Sequence, residues 1–441
     1  MKMRWIVGLM VWAIIPTSVV WAQGSQAPLT LEESVKIGLE RNLALHSAVE
    51  GVVGSEFRRK EAITNFLPWW TGQYGYTRLN EGPASVRLNP GPPATFTQVK
   101  GPRDNYAFET TLSQPLFTGG LNVANYRSAK IGVDVSKETV ETVRRDIVLQ
   151  VRVGYFIILR AEKFLTVAEQ QVKQFEAQLE VTKAFFDVGI QPKNDVLLAE
   201  VRLANARQGQ VKAENDLATA KASFNILLRR EISTPLEVVD ILEYKAFPMG
   251  FESSLDEALR QRPEVKAAQF NIDQAKENVK IARSGFLPTV SLLGNYGRSS
   301  EELGLRGDLR NENWTIHALA TFTLWNWGNT YFKVGENKVR VTQAEDSKIQ
   351  LIESITLEVK NNYLNLLTAE KNINVTEKAI EQAEENLRMN EERYKYQVAT
   401  QTEVLDAVTL LAQARTNYYG ALSDFNVARA QLERSMGRMY P

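Results

Sequence analysis

Few residues in this chain could do chemistry. Its 441 residues include two histidines, His46 and His317, and no cysteine. The histidines lie far apart, and neither has carboxylates or cysteines at a spacing that would complete a metal site. His46 falls on an amphipathic helical stretch and reads as a packing or surface residue. His317 falls on an alternating stretch opposite Trp314 and Phe322, and reads as a polar residue lining one strand face. No phosphate-binding glycine loop, nucleophile elbow or deaminase pattern occurs. The glutamates of Glu381–Glu392 read as a solvated helix face. With 52 basic against 52 acidic residues, the charge balance gives no support for nucleic-acid binding. The expectation is a protein that is not an enzyme and has no cofactor or metal.

The elements are more informative than the reactive groups. Leu116–Arg230 slides onto Leu324–Arg438 without a gap, and 29 of the 115 pairs are identical. Tyr155 meets Tyr363, Ala161-Glu162-Lys163 meets Ala369-Glu370-Lys371, and Ala206-Arg207 meets Ala414-Arg415. That exceeds what shared composition gives, so the unit is a duplicated structure rather than a solenoid motif. An upstream match extends it. Leu31-Glu32-Glu33-Ser34-Val35 resembles Leu255-Asp256-Glu257-Ala258-Leu259, and Asn65-Phe66-Leu67-Pro68 resembles Gly285-Phe286-Leu287-Pro288. Length alone would suggest about three domains of ~150 residues. The repeat favours one architecture of two halves, each reading helix, strand, loop, strand, long helix, long helix.

Lys2 and Arg4, the apolar run Trp5–Ile15, Pro16 and Val20-Trp21-Ala22 read as a secretory leader cut after Ala22. A spanning helix needs roughly 20 apolar residues, and no stretch approaches that length. The expected organisation is a leader over 1–22, a first repeat over 23–230, a linker or equatorial segment over 231–253 and a second repeat over 254–438. An exported chain without cysteine must be held by packing or oligomerisation, and cannot carry a lipid on cysteine.

No proline lies between Pro115 and Pro192 or between Pro288 and Pro441, which leaves both intervals free to be helical. Five prolines crowd into Pro83–Pro102, which predicts an irregular exposed loop; its counterpart is the shorter Ser299–Asn313. Val151, Ile158, Leu165, Val172, Leu179 and Phe186 keep heptad spacing, as do Val359, Leu366, Ile373, Ile380, Leu387 and Tyr394. Val196, Leu203, Leu217 and Phe224, and Val404, Leu411, Tyr418, Phe425 and Leu432, continue it on the returning helices, with Gln210 the one polar intruder. Sustained heptads predict coiled-coil packing. Leu121–Asp187 predicts a rod of about 100 Å at ~1.5 Å per residue, turned back by Gly189-Ile190-Gln191-Pro192.

Trp70, Gly72, Tyr74 and Tyr76 alternate with Trp69, Thr71, Gln73 and Gly75. Tyr106–Ser113 and Trp314–Thr323 alternate in the same way. Strands of about ten residues with one apolar face and aromatics near the ends fit an outer-membrane barrel. Four strands cannot close one, since the smallest barrels have about eight. Several chains would have to pool theirs.

Here the chain resembles the outer-membrane efflux protein family of TolC-like channel-tunnels, over essentially the whole mature sequence. Phe185-Phe186-Asp187-Val188-Gly189-Ile190 followed by Asp195-Val196-Leu197-Leu198-Ala199 is similar to the family's hairpin tip. Arg393–Val398 followed by Glu403-Val404-Leu405-Asp406-Ala407 is similar to its second copy, and Leu116-Phe117-Thr118-Gly119-Gly120 resembles the strand-to-helix junction. The resemblance implies a mixed α+β membrane protein: a homotrimer whose 12-stranded outer-membrane β-barrel, four strands per chain, continues as a long α-helical coiled-coil tunnel. It implies a passive channel of a tripartite efflux or type I secretion system, reached by a periplasmic adaptor and an inner-membrane pump. The alternative is a soluble periplasmic coiled-coil adaptor or scaffold, for which a single hairpin flanked by small β domains would be expected.

The family match also assigns residues. Glu403 and Asp406 correspond to the acids of the periplasmic constriction, and a spacing of three puts both on one helix face. The competing local role is to complement the positive end of the helix dipole. Asp195 and Tyr394 correspond to residues that help hold the entrance shut. Ala399 replaces the basic residue of that lock, and Lys193 and Lys395 are candidates to substitute. Val188, Gly189 and Ile190 are the expected adaptor-docking tip. Gln397 stands where the family usually has glycine, which makes the second tip the weaker candidate.

Overall fold

The computed structural model describes residues 28–303 and 312–438. The leader expected over 1–22 lies outside the described residues, as does most of the second-half loop. In the first half, α1 (Leu31–Arg41) and α2 (Leu43–Thr64) lead into β1 (Trp69–Arg78). A small hairpin of β2 (Ala84–Asn89) and β3 (Thr95–Lys100) precedes β4 (Asp104–Thr118), α3 (Leu121–Asp187) and α4 (Lys193–Leu227). The second half runs α5 (Phe251–Gln261), α6 (Pro263–Arg283), β5 (Thr289–Ser300), β6 (Glu312–Thr321), α7 (Asn329–Lys395) and α8 (Gln401–Ser435).

The duplication holds residue by residue in the long helices. α3 and α7 have 67 residues each, α4 and α8 have 35 each, and every bound is displaced by 208. Identical side chains make identical contacts: Arg207 Nη2 lies 2.8 Å from Glu176 Oε1, and Arg415 Nη2 lies 2.8 Å from Glu384 Oε1. Left-handed backbone repeats too, at Gly119/Trp327, Gly120/Gly328, Gly189/Gln397 and Arg229/Gly437.

Upstream, the sequence match is one helical turn out. The structure pairs Ser34 with Ser254, both fully buried, rather than Leu31 with Leu255. Ser34 Oγ donates to the Thr30 carbonyl at 2.8 Å, and Ser254 Oγ donates to the Gly250 carbonyl at 2.9 Å. No residue of the Leu-Glu-Glu and Leu-Asp-Glu strings is buried and half are exposed, so they set no depth, whereas a small side chain against the core does. The single leading helix is also divided in both halves. Asn42 Oδ1 accepts from the Ala44 and Leu45 amides at 2.8 and 3.3 Å and starts a new helix. Pro263 does the same at the first position of α6, where it needs no amide hydrogen.

The Pro83–Pro102 segment is a hairpin and not an irregular loop. Ala84–Asn89 pairs antiparallel with Thr95–Lys100. Its prolines sit at the turn and flanks, where no ladder donor is lost.

Two equatorial cores and one distal core hold the rods. Val35, Ile147, Val151, Tyr155, Ile158, Phe224 and Leu228 form the first-half core. Ile355, Val359, Leu366, Phe425, Leu432 and Met436 form its counterpart. Toward the tips both hairpins merge, with Val172, Phe175 and Leu203 against Leu387, Tyr394, Val404, Leu405 and Leu411. The heptads therefore read correctly except at Phe186, which is exposed because the helix ends there; Phe185 makes the packed contact instead. The 231–253 segment crosses the first core. Leu29 and Val238 form a parallel bridge, and the buried Tyr155 hydroxyl lies 2.7 Å from the Val239 carbonyl and 3.0 Å from that of Leu29. Burial pushes that hydroxyl up to about 12.

Candidate functional site

The four long strands form one antiparallel sheet in the order β1-β4-β5-β6. Its register sorts the side chains into two faces. Rows such as Trp70–Leu112–Gly294–Ile316 and Thr110–Tyr296–Trp314 lie on one face, with Tyr74–Phe108 and Tyr76–Tyr106 beside them. Thr71–Thr111–Asn295–Thr315 and Gln73–Glu109–Gly297–Asn313 lie on the other. His317 is in the polar-face row with Ser113 and Leu293, on the face the alternation predicted. Trp70, Trp314 and Ile316 are 69–77% exposed in the protomer, and among the described residues β1 and β6 are edges without a neighbour. An apolar face this exposed, bounded by two open edges, is unfinished as a soluble sheet.

At the far end of the rods, both hairpins turn alike. Gly189 takes φ +80° and Gln397 takes φ +63°. The Gly189 amide donates to the Phe186 carbonyl at 2.9 Å and that of Ile190 to Phe185 at 2.8 Å. The Gln397 and Val398 amides repeat the pattern onto Tyr394 and Arg393, each at 2.9 Å. These paired bonds are the Schellman closure of a helix end. Val188 and Ile190 project into solvent at the first tip. Tyr396 and Val398 are as exposed at the second, so the missing glycine has not changed its shape. The string Tyr396-Gln397-Val398, aligned on Val188-Gly189-Ile190, is the sequence counterpart of that shared turn.

Glu403 and Asp406 share one exposed face of α8, between the buried Val404, Leu405, Ala407 and Val408. Neither is alone. The Glu403 amide donates to Thr400 Oγ1 at 3.3 Å, and Thr400 Oγ1 lies 3.2 Å from Glu403 Oε1, so Glu403 does help start the helix. Its Oε2 is 3.7 Å from Arg393 Nη1, and Asp406 Oδ1 accepts from Arg202 Nη2 at 3.0 Å. The cations beside the acids are thus Arg393 and Arg202, not Lys193 or Lys395. Arg202 carried no motif and was missed.

Asp195 stands in the first turn of α4, half-buried. Tyr394 is buried against Phe185, ring centres 5.6 Å apart. Its hydroxyl has no hydrogen-bond partner, and the neighbouring Thr182 hydroxyl donates to the Gln178 carbonyl at 2.8 Å instead. Burial raises the Tyr394 hydroxyl above its ordinary value, the nearby Thr182 hydroxyl opposes that, and the Asp195 charge adds to it. The structure therefore places Asp195 and Tyr394 near one another without a bond between them. His46 lies on α2, four residues before Glu50, remote from these groups.

The sequence matches the family described as outer membrane efflux protein over residues 62–228 and 254–438. It is 25% identical to outer membrane protein TolC of Vibrio cholerae over 351 residues, covering 76% of this chain and 80% of that one. It is 21% identical to the alkaline protease secretion protein AprF of Pseudomonas aeruginosa over 338 residues, covering 75% and 69%. Its fold matches the crystal structure of the outer membrane protein VceC from Vibrio cholerae with a TM-score of 0.76 at 17% identity, over 92% of this chain and 96% of that one.

Proposed function

The chain belongs to the outer membrane efflux protein family, and we propose that three copies pool their sheets into one closed 12-stranded barrel, four strands from each. It is the outer-membrane channel component of an efflux or type I secretion system of a Gram-negative bacterium, with a long periplasmic extension. The observation that carries the trimer is the sheet with two open edges and one apolar face. Lipid cannot satisfy free backbone donors and acceptors, so such a sheet must close. A soluble periplasmic adaptor or scaffold would leave Trp70, Trp314 and Ile316 in water.

In this reading the channel is passive and catalyses nothing. Energy comes from an inner-membrane pump, through a periplasmic adaptor that docks on Val188, Gly189 and Ile190. The exposed apolar turn at the rod end supports that assignment. Glu403 and Asp406 line the entrance as two stacked rings of carboxylates, which favour cations and narrow the pore. Asp195 and Tyr394 support closure, a role to which the free Tyr394 hydroxyl is suited.

Detergent-extracted protein is expected to run as a trimer and to conduct in planar bilayers. E403A/D406A is expected to raise conductance and lower cation preference. A soluble periplasmic monomer, or unchanged conductance and selectivity in the double variant, contradicts the corresponding half of the reading. Gly189→Asp is the docking test. A Cβ there meets open space and aspartate tolerates left-handed backbone, so the variant changes charge more than shape. It is expected to insert normally and to abolish export.

A further inference from the structure

The strands β1, β4, β5 and β6 carry three acids, two arginines and one histidine: Asp104, Glu109, Glu312, Arg78, Arg298 and His317. The register divides them unevenly. Asp104 and Glu312 lie on the apolar face at its outer end, each opposite an arginine. Arg78 Nη1 is 3.7 Å from Asp104 Oδ1, and Arg298 Nη1 is 3.4 Å from Glu312 Oε1. The Tyr76 and Tyr296 hydroxyls donate to the same two carboxylates at 2.7 and 3.3 Å. Those charges cancel in pairs.

Glu109 is different. It stands exposed on the polar face and has no hydrogen-bond or ion-pair partner among the described residues. Its neighbours across the sheet are Gln73 on β1 and Gly297 on β5, neither of them charged. The other rows of that face hold hydroxyls, amides, small groups and a few apolar side chains, with no lysine, arginine or second acid. His317 is in the row of Ser113 and Leu293, about 13 Å deeper at ~3.3 Å per residue. Closing the sheet brings no cation to Glu109 either. The strands that would meet between copies are β1 and β6, and neither has lysine or arginine on its polar face.

We propose that Glu109 is the charge filter of the barrel lumen. Three copies present a ring of three carboxylates on an otherwise uncharged wall, which passes cationic and neutral solutes and holds back anions on their way out. This rests on the reading that three sheets close with their polar faces inward. A pore wall of low dielectric focuses the field of a fixed charge into the water it encloses. The screening length, about 10 Å at 0.1 M salt, lets that field reach well into the lumen. Glu403 and Asp406 lie near the far end of the rods, about 100 Å away, so the two sets of acids act independently.

The test uses the full-length protein in planar bilayers, reading the reversal potential in a potassium chloride gradient. The E403A/D406A background removes both entrance acids and leaves Glu109. There, E109Q is expected to lower the remaining preference for potassium over chloride by about twofold at 0.1 M salt, and E109K to turn it toward chloride. Both differences are expected to shrink at 1 M, where the screening length is about 3 Å. Because the chain has no cysteine, E109C can be modified alone. A membrane-impermeant anionic thiol reagent is expected to restore the preference of the parent, and a cationic one to mimic E109K. An E109Q trimer that keeps its parent's reversal potential overturns the filter, as does an E109C that reacts without moving it. A T315C that reacts beside an unreactive E109C also sinks the filter, with the barrel intact. If both cysteines fail to react in a conducting trimer, the polar face is not the lumen, and the barrel reading fails along with the filter.

Discussion

Among the left-handed backbone positions shared by the two halves, Arg229, Trp327 and Gln397 stand where the other copy has glycine. A Cβ-bearing residue in that region costs roughly 1–2 kcal/mol. At Arg229 and Gln397 the fold tolerates this because the position is fixed by its neighbours: both close helix ends through the same paired amide bonds that Gly437 makes. Gln397 is the informative case, since its counterpart Gly189 makes the identical turn without the strain. Gln397→Gly is therefore expected to slow hydrogen exchange of the second-tip amides by up to about fivefold, a gain of about 1 kcal/mol in local stability. Gly189→Ala is expected to quicken exchange at the first tip to a similar degree, since its Cβ meets no atom and only the backbone preference is lost. Unchanged exchange in both would mean that the neighbouring helices, not the turns, set the opening of the tips.

At the scale of elements, the equatorial end of α8 is fastened by charge. Arg262, nearly fully buried, lies 2.6 Å from Glu358 Oε2 and 3.0 Å from Glu264 Oε1. Arg434 lies 2.9 Å from the same Glu264 oxygen and 2.6 Å from Asp146. Burial alone would raise the Glu264 carboxyl, but the Arg262 hydrogen bond and charge outweigh it and hold the group below its usual range. A carboxyl depressed in the folded state stabilises above its unfolded pKa, about 4.3, and loses that contribution as pH falls through the folded value. Glu264→Gln is thus expected to lower the denaturation midpoint at pH 7, and the gap from wild type is expected to close below about pH 4. A gap that stays constant to pH 3 would assign the loss to packing rather than charge.

The whole molecule shows which parts of the fold its sequence could reveal. Long periodic signals were legible: the gapless repeat located α3, α4, α7 and α8, and the heptads named Val151, Ile158, Val359 and Phe425 as core. Short signals were not. The β2–β3 hairpin hid among prolines, and the true pairing of α1 with α5 rested on two buried serines against a more conspicuous acidic string. Arg202 had no periodicity or motif at all, because a contact between hairpins is set by tertiary placement. The alternation in the strands was legible in type, and its assembled meaning can be tested directly. Ile316 and Thr315 are adjacent near the middle of β6 and point to opposite faces. If the apolar face meets lipid, Ile316→Arg places a charge near the bilayer midplane at a cost of about 2–4 kcal/mol, while Thr315→Arg places it in the lumen. Ile316→Arg is expected to reduce trimer yield in the outer membrane. Thr315→Arg is expected to assemble normally and shift selectivity toward anions. The opposite pattern would turn the barrel inside out, and equal tolerance of both would mean that neither face meets lipid.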